Sequence, residues 1–313
     1  MRIYFCSDLH ASDRCWKKFL ASAAFYEADV IVMGGDIAGK FVVPIIEHKR
    51  GHYRCRFNGV ERKLSGKDLD RMSAMIADGG SYAYVTTNDE YQAIESDPDR
   101  VDELFRRLAL ERLQRWMDLA DERLGDSPVR VLVSAGNDDY PEVDQVLARS
   151  AKVEDPNESV VELGENLQLI GLGYGNKTPW ACPRDITEAE LTERIDTLVT
   201  KVRDPARTIF SFHVPPYDTR LDLAPKLDAE MRPVMGAGGV EMVPVGSTAV
   251  REALLRYRPC VGLHGHIHES RNIVSLDGVP AANPGSEYGE GILNGILIDV
   301  EADRPPALQM VTG

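Results

Sequence analysis

RIYFCSDLH (residues 2–10) and DVIVMGGD (residues 29–36) are two short apolar runs, rich in β-branched and aromatic residues, that each reach an aspartate. Continuous apolar runs of this length bounded by turn residues predict buried strands rather than surface helices. The pattern recurs: Val129–Ser134 ends at Gly136-Asn137-Asp138-Asp139, Leu167–Leu172 at Gly173, Thr208–Phe212 at His213, and Val261–Leu263 at His264-Gly265-His266. Helical spacing fills the gaps at Asp13–Ala28 (Trp16, Phe19, Leu20 and Ala23, with Ser12 as N-cap), at Pro98–Leu124, closed by Gly125, and at Ile186–Val202. Strand and helix in alternation predict an α/β layered core.

After His264 the pattern changes to successive strands, Arg271–Leu276, Val279–Ala282 and Ile292–Val300, the first two joined by Asp277-Gly278, a hairpin signal. Residues 41–97 read as an insertion or lid on a single domain spanning 1–313. It carries a hairpin around Asn58-Gly59, a helix near Lys67–Ala77 and a strand at Tyr82–Thr86.

Composition narrows the function. The chain of 313 residues is 43% hydrophobic, enough for a sizeable core, and carries a formal net charge of −14. That field repels long nucleic acid and anionic membranes, while a small phosphorylated substrate stays compatible, because a bound metal reverses the local potential. No apolar run reaches the ~18–20 residues of a membrane span, and the N-terminus reads as structure rather than a signal peptide. Five scattered cysteines without a C-x-x-C pair predict reduced thiols and a cytoplasmic protein.

The strand ends collect Asp8, His10, Asp36, Asn137, His213, His266 and His268, three oxygen and four nitrogen donors. Any one of these alone reads as a turn, a cap or a satisfied core residue. Together they hold a different meaning, since loops at the carboxyl ends of parallel strands converge on one crevice. A mixed oxygen and nitrogen set suits Mn, Fe or Zn better than Ca or a structural zinc.

D-L-H (8–10), G-G-D (34–36), G-N-D-D (136–139), S-F-H (211–213) and G-H-I-H (265–268), in that order, resemble the calcineurin-like metallophosphoesterase superfamily, and Asn283-Pro284-Gly285-Ser286 resembles a loop of its smaller prokaryotic phosphoesterases. The resemblance implies a four-layer α/β/β/α sandwich of two mixed sheets flanked by helices. It implies two divalent ions, one held by Asp8, His10 and His268, the other by Asn137, His213 and His266, with Asp36 between them. A hydroxide bridging the two ions would attack phosphorus, making the protein a dinuclear phosphatase or phosphodiesterase.

Two departures matter. The family's G-N-H-[DE] becomes Gly136-Asn137-Asp138-Asp139, which replaces a histidine near the leaving group by a carboxylate. A carboxylate beside cations is a poor proton donor and makes the site less positive, which favours singly charged phosphodiesters. The same loss supports a competing reading, a degenerate metal- and phosphate-binding sensor or scaffold. The family's G-D-x-x-[DN] becomes Gly35-Asp36-Ile37-Ala38-Gly39, without the second polar group. Lys40, next in line, reads as a surface lysine, with phosphate contact as the alternative. Asp139 reads as a turn cap, His264 as a packed strand-end residue or a support for the ligands. The cluster His48, Lys49, Arg50, His52 and Arg54 reads as a solvated edge or a phosphate patch over the site. Asn283–Gly291 reads as a loop shaping the pocket.

Overall fold

Parallel pairing of Arg2–Cys6 with Val30–Gly34, and of Val30–Gly34 with Arg130–Ser134, builds the centre of the first sheet. The computed structural model describes residues 1–164, 166–302 and 304–313. Val153–Glu154 extends this sheet on one side, and the antiparallel strands Asn294–Asp299 and Ala307–Thr312 extend it on the other. A second six-stranded sheet runs Asn272–Leu276, Val279–Asn283, Val261–Leu263, Thr208–Phe212, Leu167–Leu172 and Val160–Gly164, parallel in its centre and antiparallel at both edges.

Alternation along each strand assigns the layers, because neighbouring side chains point to opposite faces. Ile3, Phe5, Val30, Val32 and Leu132 of the first sheet pack with Leu169, Ile209, Val261 and Leu263 of the second in one core between the sheets. The outward residues Tyr4, Cys6, Ile31 and Met33 pack under helices Asp13–Phe25 and Pro98–Leu124. On the far side Phe210, Phe212 and Ile170 pack under helices Glu188–Val199 and Thr248–Tyr257. The result is the α/β/β/α sandwich, with both faces of each central strand buried, which is why those strands read as unbroken apolar runs.

Local signals account for the helices. Ser12 caps the first by accepting from the Cys15 N–H, and its hydroxyl donates to Asp78 O. Trp16 stacks on Trp116 at 4.8 Å, and each indole N–H is satisfied, by Trp116 O and by Asp13. The first and third helices end sooner than their periodicity, at Phe25 and Val199. Thr248–Tyr257, capped by Ser247, and Asn88–Glu95, capped by Thr87, are helices beyond the sequence-based expectation.

Residues 41–87 form a separate four-stranded sheet, Val60–Ser65, His52–Phe57, Phe41–Lys49 and Ser81–Thr87, around a small core of Val43, Ile45, Cys55, Phe57, Met72 and Ile76. Among the described residues no helix is long and apolar enough to cross a membrane.

The link after Val153–Glu154 carries a pH-sensitive carboxyl. Burial pushes Asp155 up to about 6, against the hydrogen bond it accepts from the Asn157 N–H. The folded protein therefore holds this proton more tightly than the unfolded chain, and stability falls as pH rises from about 4 to about 6, then levels off. Asp155→Asn should stabilise the fold by about 2 kcal/mol at pH 8 and by far less at pH 4, as read from urea unfolding at the two pH values.

Candidate metal centre

Each ligand candidate sits just beyond the carboxyl end of a central strand, and the backbone there leaves the usual regions. Asp8 (φ 58°), His10 (41°), Asp36 (55°) and His266 (66°) are all left-handed. Non-glycine residues held this way cost on the order of 1–3 kcal/mol each and persist only where the surroundings enforce them. The enforcement is visible. Asp8 N–H donates to Gly35 O, His10 N–H to Asp36 O, and buried Arg112 donates to Ala11 O. Asp139 reaches across to the second strand's loop, accepting from Ile37, Ala38 and Gly136 N–H at 3.0, 2.7 and 2.7 Å. It is thus a brace between two ligand loops rather than a turn cap alone.

The glycines of the motifs are spatial requirements. A Cβ at Gly136 would collide with the Asp36 carboxylate, and one at Gly265 with Ser7 Oγ and Asp8 Oδ2. Asn283 fixes the last ligand loop, its amide donating to Leu221, Gly265 and Ile267 O while its oxygen accepts from Gly285 N–H.

The structure brings six of the seven predicted side chains, Asp8, His10, Asp36, His213, His266 and His268, into one cluster, with Asn137 in the adjoining loop after Gly136, whose Cα packs against Asp36. Donor atoms of Asp8, His10 and His268 lie within 4.8 Å of one another, as do those of Asp36, His213 and His266, and those of His10, Asp36 and Asp138. His10 Nε2 and His268 Nε2 are 3.1 Å apart, and His213 Nε2 is 3.2 Å from Asp36 Oδ1. The far ring nitrogens are anchored: His10 Nδ1 to Ala38 O at 3.0 Å and His213 Nδ1 to Gly34 O at 2.9 Å. Anchoring the outer nitrogen fixes the ring and frees Nε2 for a metal.

Asn137 is oriented by a residue that sequence reasoning missed. Its amide N–H donates to Asp185 Oδ1 at 2.9 Å, which fixes the side-chain amide and leaves its Oδ1 free to accept. That oxygen and His213 Nε2 are both buried without a hydrogen-bond partner. Buried polar atoms without a partner call for an explanation, and a cation bound beside them supplies one. Asp185 opens the two-residue strand Asp185–Ile186, too short for any sequence periodicity to mark it.

Electrostatics agree with this fit. Burial alone would raise Asp8 and Asp36, yet both are held below the usual carboxylate range, Asp8 by hydrogen bonding to His268 and by His213, Asp36 chiefly by His213. Burial would lower His213, but the Asp36 charge raises it to about 10, so without a cation this ring holds a proton against Asp36, which a bound metal would displace. Burial dominates at His10 and His266, both lowered to about 4, so these rings are neutral and ready to ligate. The residues present therefore fit a pair of divalent ions in chemistry and orientation.

Other expectations resolve differently. His264 is fully buried, with Nδ1 against Phe212 O at 2.8 Å, as strand-end packing requires. His48 and His52 sit at the far end of the strand that starts at Phe41, roughly 23 Å along it, so they do not form a phosphate patch at the cluster. Lys40 is not a free surface lysine: its Nζ pairs with Asp138 Oδ2 at 2.7 Å. Tyr288, in the glycine-rich loop, packs its ring 4.7 Å from that of His10.

No protein-family model matches the chain. It is 30% identical over 126 residues to an uncharacterized protein, MJ1162, of Methanocaldococcus jannaschii, a match covering 38% of this chain and 49% of that protein. The chain thus spans about half the length of the curated relative it matches. The crystal structure of TT1561 of Thermus thermophilus aligns over 100% of this chain and 97% of that one, with 14% identity and a TM-score of 0.55. A structure of an archaeal phosphodiesterase aligns over 100% and 99% at 11% identity, with a TM-score of 0.36, too loose to bear on activity. The likeness to TT1561 is one of fold. The two facing mixed sheets and flanking helices are the α/β/β/α sandwich that the motif resemblance implies.

Elemental analysis after incubation with Mn²⁺ and desalting should find bound metal in the wild type and a large loss in Asp36→Asn. Asp185→Ala, which touches no ion but releases the Asn137 amide, should weaken uptake by about 10- to 100-fold. Uptake in Asp185→Ala equal to wild type would remove the orienting role.

Proposed function

We propose that the protein is a metal-dependent phosphoester hydrolase that favours small phosphodiesters. The observation that carries the reading is the convergence of Asp8, His10, Asp36, His213, His266 and His268 on one cluster, with His213 Nε2 buried and without a hydrogen-bond partner in it, as is Asn137 Oδ1 in the neighbouring loop. When bound, a pair of divalent cations supplies Lewis acidity toward phosphoryl oxygens and a water acidic enough to lose its proton near neutral pH.

The chain's own residues set the rest. Asp8 and Asp36 supply two buried negative charges that retain cations, and Asp36, which adjoins both donor groups, stands between them. Asp138 does not serve as a proton donor, because each of its oxygens already accepts, one from Lys40 and one from the Cys182 thiol at 2.7 Å. Cys182 does not replace it, since burial and the hydrogen bond to Asp138 push its thiol up to about 12. A leaving oxygen therefore departs without a proton from either group. Such a site suits diesters, whose displacement is driven more by the attacking oxygen, and esters with stable leaving groups. The net charge of −14 favours a small substrate over long nucleic acid.

A sensor or scaffold is the second reading, favoured by the carboxylate at Asp138 where the resembling family has histidine. One assay separates the two. With Mn²⁺ the wild type should hydrolyse bis-p-nitrophenyl phosphate with a higher kcat/KM than p-nitrophenyl phosphate, and a chelator should abolish both. Asp36→Ala should lose at least about 10²-fold in kcat/KM while its circular dichroism is unchanged. Phosphate binding without turnover would establish the sensor instead.

A further inference from the structure

The geometry points to Lys40 as the cation of this chain that contacts substrate phosphate, with Asp138 and Cys182 as the positioning residues that aim it. The inference rests on the phosphoester reading of the same site and adds to it the group that takes the place of the missing histidine.

Three observations carry it. The first is location. Asp138 adjoins the cluster, its main-chain N–H donating to Asp36 Oδ1 at 3.1 Å and its carboxylate lying within 4.8 Å of the donor atoms of His10 and Asp36. Lys40 Nζ is one hydrogen bond further out, 2.7 Å from Asp138 Oδ2. The Lys40 side chain is 39% exposed, Asp138 20% and His268 25%, whereas Asp8, Asp36, His10 and His213 are buried, so the pair lies at the solvent side of the centre. The second is capacity. An ammonium has three donors, and among the described residues Asp138 is the one partner of this one. At least one N–H is left for an anion arriving from solvent.

The third is that the ammonium is built in rather than left to wander. Gly39 N–H donates to the Tyr82 hydroxyl at 2.7 Å, and Gly39 has no room for a side chain, since a Cβ there would lie 2.8 Å from Gly80 O and 2.9 Å from Ala11 Cβ. Tyr82 belongs to the strand that pairs with Phe41–Lys49, so the root of the inserted sheet sets the start of Lys40. On the other side Cys182 Sγ donates to Asp138 Oδ1 at 2.7 Å, and Cys182 N–H is held by Asp185 Oδ2 at 3.0 Å. Asp185 also orients Asn137, so one carboxylate aligns a ligand candidate and the Asp138–Lys40 pair together. A carboxylate alone at this position would repel phosphate. Paired with Lys40, it presents a donor.

The test compares Lys40→Met, Lys40→Arg, Asp138→Asn and Cys182→Ala in Mn²⁺-loaded protein, each with its metal content measured. Inorganic phosphate binding by calorimetry and kcat/KM on bis-p-nitrophenyl phosphate are the two readouts. Lys40→Met should lose roughly 10- to 100-fold in phosphate affinity and in kcat/KM with metal content unchanged, the range for a charged hydrogen bond. Lys40→Arg should recover most of that loss. Asp138→Asn and Cys182→Ala should lose less, and Lys40→Met/Asp138→Asn should be no worse than Lys40→Met alone, because the two residues act as one unit. Wild-type phosphate affinity in Lys40→Met overturns the assignment. Lys40-dependent phosphate binding by a wild type that hydrolyses no ester supports Lys40 and ends the hydrolase reading. A wild type that neither binds phosphate nor turns over ester overturns both.

Discussion

Two carboxylates, Asp8 and Asp36, are buried side by side at the carboxyl ends of adjacent parallel strands, 1% exposed each. Removing an anion from water costs several kcal/mol unless it is paired, and a second anion nearby makes the cost greater. The surroundings answer that cost. His266 N–H donates to both oxygens of Asp8, at 3.1 and 3.0 Å, Asp138 N–H donates to Asp36, and imidazoles of His10, His213 and His268 lie within 4.0 Å of these oxygens. Glycines at 136 and 265 let main chain approach where any side chain would block it. Cations, as proposed above, would complete the neutralisation that the protein groups begin.

The parts legible in the sequence were those governed by burial on two faces. Strands such as Val30–Gly34 have no polar face, so they appear as unbroken apolar runs, and the first polar residue after each run is the first one free to take a chemical role. Asp36, Asn137 and His213 follow that rule, while Asp8 comes one residue after Ser7 and His266 two after the buried His264. Helix Thr248–Tyr257 was harder, because its buried stripe of Ala249, Val250, Ala253 and Leu254 is short and partly alanine. Asp139 shows a different limit: its role as a brace depends on Ile37 and Ala38, about a hundred residues earlier, and no local pattern encodes that meeting.

Asp138 illustrates how one substitution is reread in three dimensions. From the chain alone it subtracts positive charge from a site for anions. In the fold, Lys40 at 2.7 Å restores it, and Lys40 arrives from the end of the Gly34-Gly35-Asp36 loop where the separate four-stranded sheet begins. Cys182 and Asp185, which complete the arrangement, come from the link between the two-residue strands Gly175–Asn176 and Asp185–Ile186 and from the start of the second, too irregular for any periodicity to announce.

Left-handed backbone at Asp8, His10, Asp36 and His266 has a consequence for how such a centre is kept or lost over generations. Glycine at any of these positions would relax the main chain, and neutral residues at the two aspartates would also relieve their mutual repulsion. Selection for robustness alone thus pushes toward erasing the centre, in the familiar opposition between activity and stability. Four strained, non-glycine side chains in one small region are what a working centre, and not the fold's own thermodynamic preference, would ask for.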